Sequence, residues 1–277
     1  MNFKSISSHL KRILHHAGKP VRVGSIDYKL RGYFSNVMTT DFNHEPFMVN
    51  VLKRVLVSRP GAFVDVGVNI GQTLIKVLHI DPTRTYIGFE PQVACCFLID
   101  QFIKDNALSN ARVIPLALSD RNSMLKIYSS TTFDAMASLT GKIQVDGGIR
   151  NLETIVTARI LDEVFDEIGV DQVAAVKIDV EGAELQVLRG MSKTLAQKRP
   201  VLIFEVLPNF YGHDKKMQDA AVCAANTAAT TSLYNLLTAA NYKIFGIDSK
   251  GDEWPIEFFD LDDRLNYRGS DFIAYPA

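Results

Sequence analysis

Phe63-Val64-Asp65-Val66-Gly67-Val68-Asn69-Ile70-Gly71-Gln72-Thr73 is the stretch whose reading decides the fold. Its first four residues form a continuous apolar run broken only by Asp65, the pattern of a short strand covered on both faces. A carboxylate inside such a run is costly unless it meets a partner. Gly67 and Gly71 then allow the backbone to turn sharply or to approach a ligand closely. A helical pattern follows at once, from Thr73 to His79. The plain alternative is that the two glycines only make a tight strand-to-helix turn.

The same alternation repeats outward. Tyr86-Ile87-Gly88-Phe89, Arg112-Val113-Ile114-Pro115, Val173 to Ile178 and Val201-Leu202-Ile203-Phe204 are further apolar runs. Helix-length segments separate them, at Val93 to Asn106 and Ala183 to Ala196. This is the signature of a parallel α/β sheet. Upstream, Phe47, Val51, Leu52, Val55 and Leu56 predict one face of a helix that Arg59-Pro60-Gly61 terminates. Downstream, Met124 to Tyr128 and Thr154 to Thr157 read as extra strands around a polar loop from Ser129 to Gly148. That departure marks residues 124–158 as an insertion or lid. A helix is expected from about Lys216 to Ala240. Tyr242 to Ile247 and Phe272 to Tyr275 then predict an antiparallel, hairpin-like edge. Residues 1–58 read as a helical extension packing on a core domain of residues 59–277. Ser5 to His16 is amphipathic, and packing against the body is preferred to a membrane-surface role.

Composition narrows the function. Lys and Arg number 30 against 31 Asp and Glu, so no basic excess points to nucleic acid. No apolar run approaches the roughly 20 residues needed to span a bilayer. Cys95, Cys96 and Cys223 offer neither metal spacing nor an even count, so they read as buried small hydrophobes in a reducing, cytoplasmic setting. The histidines show no ligand spacing. Trp254 reads as packing or a loop anchor. The acceptor and the oligomeric state are not readable.

Gly88-Phe89-Glu90-Pro91 carries the second chemical signal. Glu90 ends its strand about 20 residues beyond Gly71, where a carboxylate accepts hydrogen bonds from both ribose hydroxyls of a nucleoside. Pro91 stops the strand and starts the next helix. An acid near a helix N-terminus is the competing reading. Both NAD and S-adenosyl-L-methionine fit these features, and the glycines decide between them. A dinucleotide fingerprint needs G-x-G-x-x-G; here Asn69 and Gln72 stand where its second and third glycines would be. The loop therefore favours the sulfonium cofactor.

Val176-Lys177-Ile178-Asp179-Val180-Glu181-Gly182-Ala183-Glu184 carries the third. Lys177, Asp179 and Glu181 alternate, so an extended backbone points them one way. Asp179 stands at the strand end beside the reactive methyl. Glu184 reads as an acid at a helix start. Glu205 ends the neighbouring run. Asp179 and Glu205 together suit a general-base pair or oxygen ligation of a divalent metal, and pairing with Lys177 is an equal structural explanation.

Together these residues resemble the FkbM family of S-adenosylmethionine-dependent methyltransferases. The resemblance runs through Val64 to Val206. It includes Ile114-Pro115-Leu116-Ala117-Leu118-Ser119-Asp120, Ile160-Leu161-Asp162 and Leu188-Arg189-Gly190, with an echo at Asp271 to Pro276. It implies a Rossmann-like class I fold: seven strands, mostly parallel, the last antiparallel, with helices on both faces. Carried over by position, Asp65, Gly67, Asn69 and Gly71 line the methionine end of the cofactor. Glu90 and Pro91 meet its ribose, and Ser119 and Asp120 lie near its adenine. Lys177, Asp179, Glu181 and Glu205 face the acceptor. Val68 replaces an alanine that is common in the family. The implied activity is methylation of a hydroxyl on a sugar, glycan or secondary metabolite. A nicotinamide-dependent oxidoreductase and an inactive nucleoside-binding scaffold are the rivals.

Overall fold

The computed structural model describes residues 20–23, 26–29, 45–129, 144–145, 148–149, 152–209, 220–262 and 268–277. The apolar runs become strands. In chain order the elements are β1 (Pro20–Val23), β2 (Ile26–Lys29), α1 (Pro46–Ser58), β3 (Ala62–Val66), α2 (Gln72–Ile80), β4 (Tyr86–Phe89), α3 (Val93–Asp105) and β5 (Ala111–Ile114). Next come β6 (Ala117–Leu118), β7 (Ser123–Ser129), β8 (Gln144–Val145), β9 (Gly148–Ile149), β10 (Leu152–Arg159), α4 (Leu161–Ile168) and β11 (Val173–Ile178). The chain closes with α5 (Glu184–Arg189), α6 (Ser192–Gln197), β12 (Val201–Glu205), α7 (Ala220–Ala239), β13 (Tyr242–Ile247), β14 (Glu253–Pro255) and β15 (Asp271–Pro276).

The main sheet runs β14-β13-β15-β12-β11-β3-β4-β5. Neighbours from β12 through β5 are parallel, and β15 is antiparallel to both β12 and β13. The chain winds outward from β3 to β5 and then returns to the other side of β3 with β11. Strand order therefore reverses between β3 and β11, the place where open α/β sheets bind ligands at their strand ends.

Alternating side chains split the core in two. Val64, Val66, Val176, Ile178, Leu202 and Phe204 pack on one face with Leu161, Phe165, Leu188 and Leu237 of α4, α5 and α7. Phe63, Ala175, Val201 and Ile203 pack on the other with Leu52, Leu74 and Ile99 of α1, α2 and α3. Both faces are covered, which is why the strand sequences are continuous rather than alternating.

Several expectations change in detail. The sheet has eight strands among the described residues, because β14 pairs along β13. The terminal pair does meet antiparallel, but β15 slots between β12 and β13, so β14 is the edge. The helix expected over 183–196 is two short helices, with Gly190 at the break. A β-carbon on Gly190 would stand 2.1 Å from the Ser119 carbonyl oxygen, so the chain must be bare there. Helix α4 was not foreseen. Its Asp162 carboxylate accepts hydrogen bonds from the backbone N–H groups of Lys193 and Thr194, satisfying open donors of α6. The N-terminal region expected to be helical contributes the antiparallel β1–β2 hairpin as well as α1. Ser5 to His16 lies outside the described residues. In the 124–158 region β7 and β10 pair and are joined by the upstream β6 in a small sheet, and β8 pairs with β9 at the end of the expected polar loop. Cys95 and Cys96 are buried free thiols as expected, whereas Cys223 is half-buried on α7. Trp254 anchors locally: its ring covers Gly246 and lies 4.1 Å beneath the Arg268 guanidinium. No helix among the described residues is long and apolar enough to cross a membrane.

Candidate functional site

A cleft opens at the carboxyl ends of β3, β4 and β11. Its cavity volume is about 90 Å³, and it opens to solvent. Its floor is the loop after β3. Gly67 adopts φ +88°, and the carbonyl oxygen of Asp179 lies 1.8 Å from where its β-carbon would be. The Asp179 N–H also donates to the Val66 carbonyl, at 2.9 Å. The first and third motifs are thus one joined structure, and only glycine permits the joint. Asn69 is left-handed at φ +50° and Gly71 caps α2 at φ +91°.

Glu90 forms one wall and is only 3% exposed. Its Oε2 accepts the Asn69 backbone N–H and its Oε1 accepts that of Gln92, both at 2.8 Å. Burial raises its pKa, and these two bonds work against the rise. A carboxylate has about four acceptor positions, and the two backbone bonds with a side-chain bond from Gln92 take three of them. The Glu90 carbonyl accepts from the Cys96 thiol at 3.0 Å, and burial followed by Glu90 pushes that thiol up to about 12. The buried cysteines are inert packing groups.

On the opposite wall, Lys177 Nζ donates to Asp179 Oδ2 at 2.7 Å. Lys177 is 8% exposed. Burial disfavours its ammonium, but Asp179 and then Asp65 hold its pKa above the ordinary lysine value. Glu181 lines the cleft in a left-handed conformation, φ +54°. Glu184, expected only to decorate a helix start, is buried. It accepts the Gly182 N–H at 3.0 Å and so holds the Val180–Gly182 turn, and burial pushes its carboxyl up to about 7.

Of the residues read as cofactor or acceptor contacts, Gly67, Asn69, Glu90, Pro91, Lys177, Asp179 and Glu181 line this one cleft. Gly71 sits behind it at the start of α2. Leu116, Ala117 and Leu118 supply an apolar wall; the lining stops short of Ser119 and Asp120. Ser119 instead buries its backbone against Gly190. Asp65 lies beneath the floor, fully buried, where its Oδ2 accepts from the Tyr86 hydroxyl. Glu205 stands farther along the strand ends and accepts from the Ser270 hydroxyl at 2.7 Å. Its register partner across the antiparallel pair is Asp271, whose carboxyl burial, Glu45 and Glu205 push up to about 7. Asp271 was not singled out in advance, although an acid opening an apolar strand is a visible signal. Also unforeseen is Lys76, 2% exposed and paired with Glu45 at 3.5 Å. Among the described residues no group of three or more His, Cys, Asp or Glu side chains is arranged to hold a metal ion. The cation beside Asp179 is Lys177.

Comparison with known proteins bears on this geometry. Residues 65–244 match the model of the methyltransferase FkbM domain. Methyltransferase sdnD of Sordaria araneosa is 24% identical over 47% of this chain and 60% of its own length. The 2-O-methyltransferase NoeI of Sinorhizobium fredii is 26% identical over 52% of this chain and 63% of its own length. The chain thus matches less than two thirds of each of these relatives. A crystal structure of methyltransferase FkbM from Methylobacillus flagellatus KT aligns with a TM-score of 0.45 at 14% identity, covering 78% of this chain and 43% of that one.

Proposed function

The chain belongs to the FkbM methyltransferase family, and from that membership we propose that it moves a methyl group from S-adenosyl-L-methionine to a hydroxyl of a sugar, glycan or secondary metabolite. The observation that carries the reading is Glu90, a buried carboxylate at the end of β4 that lines the cleft and is fixed by two backbone N–H groups. A carboxylate so placed suits the paired hydroxyls of a ribose, which take over the bond the Gln92 side chain makes to it. The bare approach at Gly67 and the left-handed Asn69 suit the methionine end, with Gly71 setting where α2 begins. Leu116 to Leu118 suit the flat apolar adenine, with Ser119 and Asp120 just beyond. A loop lacking the second and third glycines of G-x-G-x-x-G is poorly suited to a pyrophosphate.

When bound, the donor supplies a methyl carbon on a positively charged sulfur, open to in-line attack. The protein's contribution is position and charge. Asp179, held by Lys177, accepts a hydrogen bond from the acceptor hydroxyl and orients its oxygen. Removal of that proton falls to Asp179 or to the carboxyl groups of Glu205 and Glu181 near it. A relative named as a 2-O-methyltransferase supports oxygen as the methylated atom. We assign residues 59–277 to the transferase unit and 124–158 to a cover over the cleft; Ile127 of β7 already lines it.

Calorimetry with S-adenosylmethionine, S-adenosylhomocysteine and NADH tests the assignment. Micromolar binding of the first two and none of NADH is expected. Preference for NADH rejects it, and binding with no transfer of labelled methyl to any hydroxylated acceptor leaves the scaffold reading standing.

A further inference from the structure

Asp65 and Lys177 are register partners on adjacent parallel strands, β3 and β11. Asp65 follows Phe63, and Lys177 follows Ala175, in strand alternation. Both therefore project toward the α1–α3 face. Asp65 is fully buried, one of its oxygens is bound by the Tyr86 hydroxyl, and its Oδ1 has no partner. Lys177 bridges two regions: its stem lies in this buried layer, and its ammonium reaches the cleft, where it holds Asp179 at 2.7 Å. The other buried cation near Asp65, Lys76, is occupied by Glu45.

An uncompensated carboxylate in such a layer is strongly unfavourable. The lysine beside it offsets that cost, and the reverse also holds: the buried ammonium is kept charged by its negative neighbours, Asp179 first, then Asp65 and Glu45. The groups acting on Asp65 are Lys177, Tyr86, Asp179 and Lys76. Removing its charge takes away the second largest of the charges that hold the Lys177 ammonium, leaving Asp179 and a smaller contribution from Glu45 against the cost of burial.

We propose that Asp65 is a positioning residue that never touches the cofactor: through Lys177 it fixes the Asp179 carboxylate at the cleft wall facing the transferable methyl. Tyr86 fixes Asp65 in turn. This rests on the donor-binding reading above and reverses the expectation that Asp65 lines the methionine end. It separates two jobs that lie within a few residues: Gly67 and Asn69 cradle the donor, while Asp65 orders the opposite wall from below.

The test needs no acceptor. It compares S-adenosylhomocysteine, which has nothing at the methyl position, with sinefungin, which carries an amine there. An ammonium at that position reports on the charge and placement of Asp179. Calorimetry on the full chain is run for the wild type and for Asp65→Asn, Asp65→Glu, Tyr86→Phe, Asp179→Asn and Glu90→Gln. Asp65→Asn is expected to leave S-adenosylhomocysteine within about twofold and to weaken sinefungin roughly tenfold, the scale of one charge-assisted hydrogen bond. Asp179→Asn should do the same, Asp65→Glu should restore most of the sinefungin affinity, and Tyr86→Phe should fall between. Loss of S-adenosylhomocysteine binding in Asp65→Asn as deep as in Glu90→Gln overturns the proposal by making Asp65 a donor contact. Asp65→Asn unchanged for both ligands, with Asp179→Asn weakened for sinefungin, overturns it by reducing Asp65 to a folding role. Should Asp65→Asn not fold, Tyr86→Phe decides: equal loss of both ligands, or no change in either, overturns the proposal. Wild type binding neither ligand would instead reject the donor-binding reading itself.

Discussion

The carbonyl oxygen of Asp179 occupies the space a β-carbon on Gly67 would fill, 1.8 Å from its ideal position. Two strand ends distant in the chain are thereby locked together at the point where strand order reverses, and every side chain of the cleft is placed relative to that joint. Gly67→Ala must push β3 and β11 apart and also hold alanine at φ +88°. A loss of about 3 kcal/mol or more is expected from overpacking and left-handed strain together. Gly169→Ala is the control, with φ +68° and nothing within 4 Å of the added carbon. It should cost about 1 kcal/mol, from backbone strain alone. Urea unfolding of the two variants measures the difference, and equal losses would show that the joint is not tight.

Stability should fall as pH rises through neutrality. Burial raises the carboxyl groups of Asp65 to about 6, Glu184 to about 7 and Asp271 to about 7. An acid with a raised folded pKa binds more protons folded than unfolded. Its contribution is complete below the unfolded pKa and is lost as pH climbs through the folded value. The denaturant midpoint is therefore expected to decline between about pH 4.5 and 7.5. Glu184→Gln keeps an oxygen for the Gly182 N–H but cannot titrate, so it should flatten that decline. An unchanged slope in the variant would remove Glu184 from the explanation.

Much of this was legible because strand-end chemistry constrains residue type. A charge in an apolar run (Asp65), glycines at a strand-to-helix turn (Gly67, Gly71) and acids ending neighbouring strands (Glu90, Asp179) each violate the local pattern, and such violations flag sites. Contacts across the sheet were not legible, because they depend on register. Asp65 lies opposite Gly88, which has no side chain, and this leaves room for the Tyr86 hydroxyl to reach it. Nothing local to Tyr86 announces that. Glu205 meets Asp271 only because β15 inserts beside β12. Leu188-Arg189-Gly190 and Ile160-Leu161-Asp162 carry the family resemblance, and their roles here are structural. Gly190 serves close packing against Ser119, and Asp162 caps α6.

Glu90→Gln should separate binding from folding only incompletely. The amide keeps one oxygen acceptor for two backbone donors, so either the Asn69 or the Gln92 N–H loses its partner. A stability loss of about 1–3 kcal/mol is expected from that buried, unsatisfied donor. Affinity for S-adenosylhomocysteine should fall by roughly ten- to a hundredfold, as one or both ribose hydroxyls lose an ionised acceptor. Glu90→Asp retains the charge but is too short to keep the Asn69 and Gln92 bonds and still reach the ribose, and it should lose affinity comparably. Calorimetry beside thermal unfolding reads both effects. Unchanged affinity in a folded Glu90→Gln protein would remove the ribose role.

Lys177→Met tests how far the ion pair, rather than the bare carboxylate, matters to transfer. The substitution keeps the stem's packing beneath the cleft and deletes the ammonium that holds Asp179 at 2.7 Å. Asp179 is then free to turn, while Asp65 on β3 and Asp179 at the end of β11 both lose the cation that acts on them. Once an acceptor is found, kcat is expected to drop at least tenfold, about 1.4 kcal/mol of lost transition-state stabilisation, with KM for the donor moving less than twofold. The apparent carboxyl pKa of Asp65 should climb, since its largest lowering influence is gone. A carboxyl stretching band persisting to higher pH in the variant reads that directly by infrared difference spectroscopy. A normal kcat with a raised donor KM would instead move Lys177 from the acceptor wall to the donor site.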